Sequence, residues 1–266
     1  MPDPVPDDIA AALASSAARR GCFGEPLYFF TETGSTNDVA ATLAERGAPE
    51  GTTVIASRQT AGRGRFGRTW FSPQGAGLYV SVVCRNSAAA PLLTLAGGVA
   101  VAEGIRAASG LPAMIKWPND VVAGDVRTRR KLAGILAEAS TGVDGLQYVI
   151  LGLGINLRPA AYPAELADRA TSIESELGRA ADAGMVLAET LAAFHALFTR
   201  LTAGDREHVL ARWRDLAPSS RGAVVVWTTP AGERRGTSAG IDDAGALLVK
   251  VGSQVERIIS GELRWI

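Results

Sequence analysis

Lysine is nearly missing from this chain. Of its 27 basic residues 24 are arginine, and only Lys116, Lys131 and Lys250 are lysine. Interchangeable positive charge is therefore supplied by arginine, and each lysine marks a place where a compact ammonium on a flexible stem is a candidate requirement. Cysteine is equally sparse. Cys22 and Cys84 stand 62 positions apart with no C-x-x-C, which excludes a zinc ribbon and a disulfide framework and reads as two reduced thiols. His195 and His208 share no metal-ligand spacing with each other or with a cysteine, so zinc chemistry and a Ser-His-Asp triad both lack their usual parts. Net charge is absent: Lys plus Arg and Asp plus Glu are 27 each, whereas a protein that coats DNA or an acidic membrane carries a basic excess. The longest charge-free stretch, Asn86 to Ala102, is 17 residues and opens on Asn86 and Ser87, which does not fit a membrane span. Asp3, Asp7 and Asp8 occupy the place where a signal peptide is basic. These absences predict a cytoplasmic protein whose partners include neither membrane nor nucleic acid.

What is present is ordinary globular usage: 266 residues, 47% hydrophobic and 20% charged, enough for one or two domains. Residues 2 to 8 are rich in proline and aspartate, and Ile9 to Arg20 reads as an alanine-rich helix capped by Asp7 or Asp8. Strands are expected at Leu27–Thr31, Thr53–Ser57, Leu78–Cys84, Met114–Trp117, Gly134–Glu138 and Tyr148–Leu153, the last two buried on both faces. Helices are expected from Ser35 or Thr36 to Arg46, then at Leu92–Ser109, Gly184–Leu201 and Arg206–Leu216. After Ala217 the pattern changes to short strands (Ala223–Thr228, Gly236–Ile241, Ala246–Val251) joined by the turns Pro-Ala-Gly-Glu and Asp-Asp-Ala-Gly, the signature of a small β-barrel appended to an α/β core. The expected divisions are a tail and short helix at 1–25, a catalytic domain at 26–217 and the barrel at 218–266.

Charge is segregated. From Gly51 to Ala102 there are five arginines (Arg58, Arg63, Arg65, Arg68, Arg85) and no acid. Three of them lie in Gly62-Arg-Gly-Arg-Phe-Gly-Arg68, where glycines let the backbone approach a ligand and arginines offer forked donors to phosphate or carboxylate. Gly62-x-Gly-x-x-Gly67 matches the dinucleotide fingerprint in letters only. No helix follows at once, and no acid appears until Glu103, so the Rossmann reading fails. The chain holds no Gly-Lys pair, and a Walker A loop fails with it. Lys116-Trp-Pro-Asn-Asp120 sets a cation, an aromatic, an amide and a carboxylate at a strand end, suited to a polyphosphate and a base. Lys131 leads an apolar strand, which alone is equally a lysine snorkelling at a strand end. Gly152-Leu-Gly-Ile-Asn156 leaves a strip without side chains, open to a ligand or to tight packing.

Taken in order, Thr33-Gly-Ser-Thr-Asn37, Gln59 to Pro73, Lys116 to Asp120, Lys131-Leu-Ala-Gly-Ile-Leu136, Gly152 to Asn156 and Gly240 to Leu248 resemble the biotin–protein ligases, from about Tyr28 to the C-terminus. The resemblance implies an α/β (α+β) fold, a mixed sheet flanked by helices like the class II aminoacyl-tRNA synthetase core, plus the C-terminal β-barrel. It implies a two-step acyl transfer: biotin's carboxylate attacks the α-phosphorus of ATP, and a carrier lysine then attacks the biotinyl-5′-adenylate. It assigns Ser35, Thr36, Asn37, Gln59, Gly62, Arg63, Gly64 and Arg65 to biotin, and Gly134, Leu136, Gly152 and Gly154 to the wall along its apolar tail. Arg63, Arg65, Arg68, Trp70, Lys116, Asn119, Asp120 and Asn156 fall to ATP and the adenylate. Lys131 is placed between carboxylate and α-phosphate, with Lys131, Arg65 and Asp120 as the catalytic set. Mg²⁺ is expected on the ATP phosphates with no protein metal site. The expected partner is a biotin carboxyl carrier domain of acyl-CoA carboxylase or pyruvate carboxylase, and a homodimer is possible. Only about 25 residues precede the first core strand, too few for the winged helix-turn-helix of repressor members, so no operator binding is expected. The segment Val121–Arg130, with Arg127, Arg129 and Arg130, looks longer than the family's link, and whether Arg158 reaches nucleotide is open. Competing readings are a lipoate ligase of related fold and a non-catalytic nucleic-acid-binding module.

Overall fold

The computed structural model describes residues 1–125, 128–229, 232–261 and 263–266. The expected N-terminal helix is two, α1 (Asp7–Ser15) and α2 (Ala17–Arg20), broken at Ser16, whose hydroxyl donates to the Leu13 carbonyl at 3.2 Å. Asp7 and Asp8 are not caps; Pro6 holds the N-cap position and the two acids sit in the first turn, where they suit the positive end of the helix. Both helices pack on the long helix Ala183–Thr202. Then come β1 (Leu27–Phe30), α3 (Thr36–Glu45), β2 (Thr53–Ala56), β3 (Gly77–Cys84), α4 (Leu93–Ser109), β4 (Met114–Lys116), β5 (Asp120–Ala123), β6 (Arg130–Gly142), β7 (Gly145–Asn156), α5 (Ala164–Ala167), α6 (Ile173–Leu177), α7 (Ala183–Thr202) and α8 (Arg206–Leu216).

Seven strands form one sheet in the order β1-β2-β3-β7-β6-β5-β4, with β1 and β2 parallel and every other pair antiparallel. The period of two along a strand decides what each face does. Leu78, Val80 and Val82 of β3, Ala133 and Ile135 of β6, and Leu151, Leu153 and Ile155 of β7 point into the main core, which α4 and α7 complete. On the opposite face Val83, Tyr148 and Ile150 pack under Ala40 and Ala44 of α3. The residues in step with them toward the other strand ends, among them Gly134, Gly152 and Gly154, line a cavity instead. Strand β6 therefore differs from expectation: Gly134, Leu136 and Glu138 are half-exposed while Ala133 and Ile135 are buried, because only one of its faces is covered by helices. Among the described residues one helical stretch, Ala90–Ser109, is long and apolar enough to cross a membrane, and most of it is buried inside this protein.

The C-terminal part is a five-stranded antiparallel sheet, β8 (Arg221–Thr229), β9 (Gly232–Ile241), β10 (Leu247–Val251), β11 (Gln254–Ile258) and β12 (Leu263–Trp265), in the order β11-β10-β9-β8-β12. No ladder joins β11 to β12 among the described residues. Pro230 and Ala231, half of the expected Pro-Ala-Gly-Glu turn, lie outside the described residues, as does Arg127. The sheet shares the main core through Val225, Leu247 and Val249. It is also tied to the strand end at 116–120, where the Trp117 indole N–H donates to the Gly245 carbonyl at 3.0 Å.

Candidate active site

The arginine-rich segment is a finger folded on itself. Trp70 N donates to Gly62 O at 2.9 Å and Gly64 N to Arg68 O at 2.7 Å, with a 3-10 turn at Arg65–Gly67 as the tip. Gly62 is required at the base, since a Cβ there would stand 2.7 Å from Ser72 Oγ and from Trp70 O. The finger lies across a cavity of about 780 Å³ over the open face of β7 and β6. Arg63 is committed at one side: it pairs with Asp38 of α3 at 2.7 Å and with Glu138 of β6 at 3.1 Å, and those two carboxylates raise its pKa further. Its guanidinium thus anchors the finger to the sheet and α3.

Beneath Arg63 lies a chain of polar groups built from four elements. Glu138 Oε2 accepts from Asn37 Nδ2 at 2.5 Å, which aims Asn37 Oδ1 at Ser81 Oγ, also 2.5 Å away. Ser81 Oγ stands 2.7 Å from Thr36 Oγ1, and Thr36 Oγ1 stands 3.0 Å from Gln59 Oε1, which already accepts from Thr36 N at 2.8 Å. Gln59 Nε2 donates to Ser72 Oγ at 3.0 Å. Three oxygen–oxygen contacts here share only two hydroxyl hydrogens, one from Ser81 and one from Thr36. The set is short of one donor, and a bound N–H meets that need. Ser35 occupies the N-cap position of α3 without making a capping bond, and is buried beside this network.

The middle of the cavity is floored by glycine. A Cβ on Gly152 would fall 2.5 Å from Asn37 Oδ1, one on Gly154 2.5 Å from the Trp70 indole, and one on Gly134 2.9 Å from the same ring. The bare strip on β6 and β7 therefore seats Trp70, whose Nε1 is buried with no hydrogen-bond partner among the described residues. Lys131 Nζ stands 5.0 Å from the center of the Trp70 ring and 2.6 Å from Asp120 Oδ1.

The far end is cationic. Strands β4 and β5 form a tight hairpin whose turn carries Trp117-Pro118 as a cis peptide, bringing Lys116 opposite Asp120. Asn119 is clamped to β6, its Nδ2 donating to Ile135 O at 2.9 Å, and its Oδ1 accepts from Arg65 Nη1 at 3.3 Å. Burial pushes the Lys116 ammonium below the ordinary lysine range; Asp120 opposes this, and Arg129, Lys131 and Arg169 add to it. Burial likewise lowers Arg65 and Arg129. Among the described residues there is no group of three or more His, Cys, Asp or Glu that could hold a metal ion.

Every candidate residue except Gly62 lines this one cavity: Ser35, Thr36, Asn37, Gln59, Arg63, Gly64, Arg65, Arg68, Trp70, Lys116, Asn119, Asp120, Lys131, Gly134, Leu136, Gly152, Gly154 and Asn156. Asn156 spends its Nδ2 on Thr171 O at 3.0 Å and Lys131 O at 3.3 Å, holding the backbone beneath Lys131. Arg158 does not line the cavity; it donates to Gly75 O at 2.9 Å and pairs with Glu174 at 3.6 Å. Sequence reading missed Asp38, Ser72, Ser81 and Glu138, which bond to Arg63, Asn37 and Gln59 and orient them. Alternation on β6 signals Glu138, a lone acid in step with Gly134 and Leu136. Also missed were Arg129 and Arg169 and the C-terminal wall of Val226, Leu263 and Trp265. Lys250, the third lysine, is exposed on β10, outside the cavity.

Comparison with known proteins agrees with this geometry. The biotin/lipoate A/B protein ligase family matches residues 29–156, and the biotin protein ligase C-terminal domain matches 224–263. The biotin–[acetyl-CoA-carboxylase] ligase of Mycobacterium tuberculosis is 35% identical over 243 residues, spanning 87% of this chain and 86% of its own. The bifunctional ligase/repressor BirA of Bacillus subtilis is 35% identical over 245 residues, 90% of this chain and 74% of that protein. Among solved structures, the biotin protein ligase of Aquifex aeolicus in complex with biotin and ATP superposes with a TM-score of 0.77 at 28% identity, covering 90% of this chain and 98% of that one. A cavity with a donor-hungry polar end, a glycine floor and a cationic end, met on this fold and in these relatives, places the chain in the biotin protein ligase family of enzymes.

Proposed function

We propose that the protein activates biotin with ATP to biotinyl-5′-adenylate and transfers the biotinyl group to a lysine of a biotin carboxyl carrier domain, that of an acyl-CoA carboxylase or pyruvate carboxylase. One observation carries this: the donor-short network of Asn37, Ser81, Thr36 and Gln59 and the cationic cluster around Lys131 are opposite ends of a single cavity. A neutral cyclic urea has the N–H groups the first end needs, and the carboxylate at the far end of its apolar tail is then delivered beside Lys131. Two anions, a carboxylate and a polyphosphate, must meet there, and fixed positive charge in a site with little water offsets their repulsion. Mg²⁺ supplies further charge and enters with the phosphates. Lys131 is assigned the charge that builds on the α-phosphate and the carboxylate oxygen, first as pyrophosphate leaves and again as AMP leaves. Asp120, 2.6 Å from Lys131, is assigned the orientation of the incoming amine in the second step. Asp120→Asn then forms adenylate at the wild-type rate and loses transfer; equal loss of both steps refutes the assignment.

The reading also divides the chain into 1–25, 26–217 and 218–266 and assigns it no operator binding, supported by the neutral overall charge. The decisive test is intact-mass spectrometry of a carrier domain incubated with the protein, MgATP and biotin, with lipoate in a parallel arm and Lys131→Ala as control. An ATP-dependent gain of one biotinyl group, weakened by the substitution, is expected. A gain from lipoate alone overturns the biotin assignment, and no gain from either overturns the ligase reading.

A further inference from the structure

Lys131 reaches the cavity against the period of its own strand. Ala133 and Ile135 of β6 are buried in the main core, and in a regular strand Lys131, two places before Ala133, would point the same way. It lines the cavity instead, because the register against β5 slips there: Ala133 faces Val121, but Lys131 faces Val122. Leu132 is the extra residue of that bulge and is buried alongside Ala133. A bulge of this kind turns a side chain to the opposite face and interrupts the ladder.

The interrupted ladder is completed from outside the sheet. Strand β7 pairs with β6 only from Ala133 onward and ends at Asn156, so it does not flank Lys131. Lys131 N donates to Arg169 O at 2.8 Å and Thr171 N donates to Lys131 O at 2.9 Å, with Ala170 bridged to Lys131 as a strand residue would be. Segment 169–171 lies between α5 and α6 and belongs to neither. One carboxylate oxygen fixes it. Glu176 Oε1, on α6, accepts from Thr171 Oγ1 at 2.6 Å and from Arg130 Nη2 at 2.7 Å. Arg130 is the neighbor of Lys131 and Thr171 the neighbor of Ala170, so that oxygen ties together both sides of the bridge. Thr171 is buried, and its hydroxyl depends on this partner in place of water.

We propose that Glu176 is a positioning residue for the reaction: through Thr171 and Arg130 it holds segment 169–171 against the bulge, and the bulge keeps the Lys131 ammonium on the cavity side. The inference rests on the ligase reading for the step that Lys131 serves. Without the carboxylate the bulge is free to relax toward regular register, which turns the side chain toward the other face. The ammonium then leaves its places beside Asp120 and Trp70. Asn37, Ser81 and Gln59, at the other end of the cavity, keep their bonds to one another and to Thr36 and Ser72. The loss therefore falls on turnover and spares biotin binding.

The test uses the full chain. Glu176→Ala, Glu176→Gln and Thr171→Val are compared with wild type by site-resolved amide hydrogen exchange and by kcat and KM for adenylate formation. Glu176→Ala is also placed in a Lys131→Ala background. Glu176→Ala is expected to speed exchange at the Lys131 and Thr171 amides about tenfold, with Leu151 and Leu153 of β7 unchanged. Its kcat is expected to fall about tenfold at a wild-type biotin KM. Glu176→Gln keeps an acceptor for both donors and recovers most of each loss. Thr171→Val breaks one arm without opening a cavity; it falls between wild type and Glu176→Ala and answers the question if the latter fails to fold. In the Lys131→Ala background Glu176→Ala adds less than about twofold, because no ammonium is left to misplace. Wild-type exchange at both amides in a folded Glu176→Ala overturns the clamp. Full additivity with Lys131→Ala, or a rise in biotin KM that matches the fall in kcat, overturns action through that lysine. Should the wild-type chain form no adenylate, the ligase reading falls, and the exchange rates by themselves uphold or overturn the clamp.

Discussion

Adding one methyl group at Gly154 is expected to weaken biotin binding while leaving the fold intact. Gly154 lies in β7 with a backbone conformation open to any residue, and a Cβ there falls 2.5 Å from Cε2 and Nε1 of the Trp70 indole. Two effects oppose each other. Alanine reduces the freedom of the unfolded chain and by itself stabilises by ~0.4–1 kcal/mol. Overpacking against a seated side chain costs ~1–3 kcal/mol. The indole belongs to the finger, not to the main core, so Gly154→Ala relieves the clash by lifting Trp70 and the finger's base off the sheet. The penalty, roughly 1–2 kcal/mol after the offset, then falls on the closed site, a factor of about 5–30 in affinity. Biotin titration calorimetry should show that loss, the tryptophan emission of the free protein should shift to the red, and the melting temperature should stay level or rise slightly. A wild-type biotin Kd with unchanged emission refutes the reasoning, because the methyl would then fit where the geometry leaves no room for it. A lowered melting temperature with unchanged Kd refutes it differently, by placing the cost in the core.

Other expectations follow from the same geometry. Glu138→Ala leaves Asn37 Nδ2 unpaired and frees its amide to turn over. The cost is ~1–2 kcal/mol and is read as weaker biotin binding, while Glu138→Gln, which keeps an acceptor, recovers most of it; wild-type binding by the alanine variant means the carboxylate does not orient the network. The Arg63–Glu138 pair itself is about 40% exposed on both sides and contributes under ~1 kcal/mol, so Arg63→Lys should cost little in stability. Burial lowers the Lys116 pKa; because the cation is lost as pH rises, ATP KM should climb on an alkaline limb that begins below the free-lysine range. Lys116→Arg, which keeps its charge, should push that limb upward, and an unmoved limb assigns it to another group. Burial, reinforced by Glu50, raises both thiols, Cys84 far more than the exposed Cys22. A maleimide at neutral pH should add once at most to the native protein, slowly, and twice after unfolding; rapid double addition to the native chain contradicts the burial of Cys84.

Much of the site was legible before any coordinates because its residues come in short runs whose composition is improbable without a ligand: the finger, Lys116 to Asp120, and the glycine pair on β7. Elements with a long apolar or periodic pattern were legible as well: α8 and β3 are expected to within a residue of their ends. The unreadable part has a common cause. Glu138 and Ser81 act across strand registers, and a register such as Ser81 opposite Gly152 leaves no mark within either segment. Strand β5 spans four residues after a cis-proline turn, and α5 and α6 span four and five, too short for a period to show. Strands β11 and β12 are five and three residues long, again too short for alternation to show. Arg129 reads in the sequence as one more charge in a basic loop, and only the fold sets it against Ser219 and the Trp265 ring.

On the proposed reading the protein makes an acyl-adenylate, and the distribution of its primary amines then has a chemical consequence. Such a mixed anhydride acylates whatever amine it meets, and its maker is the first surface it meets on leaving. This chain offers only three lysine side chains. Lys131 is engaged by a carboxylate and Lys116 is half-enclosed in the cavity, which leaves Lys250, on a strand of the far sheet, as the one exposed side-chain amine. Arginine, which supplies the rest of the positive charge, does not react. Escaped reagent therefore finds on this molecule little to modify, and the scarcity of lysine acts as a passivated wall around a reactive product.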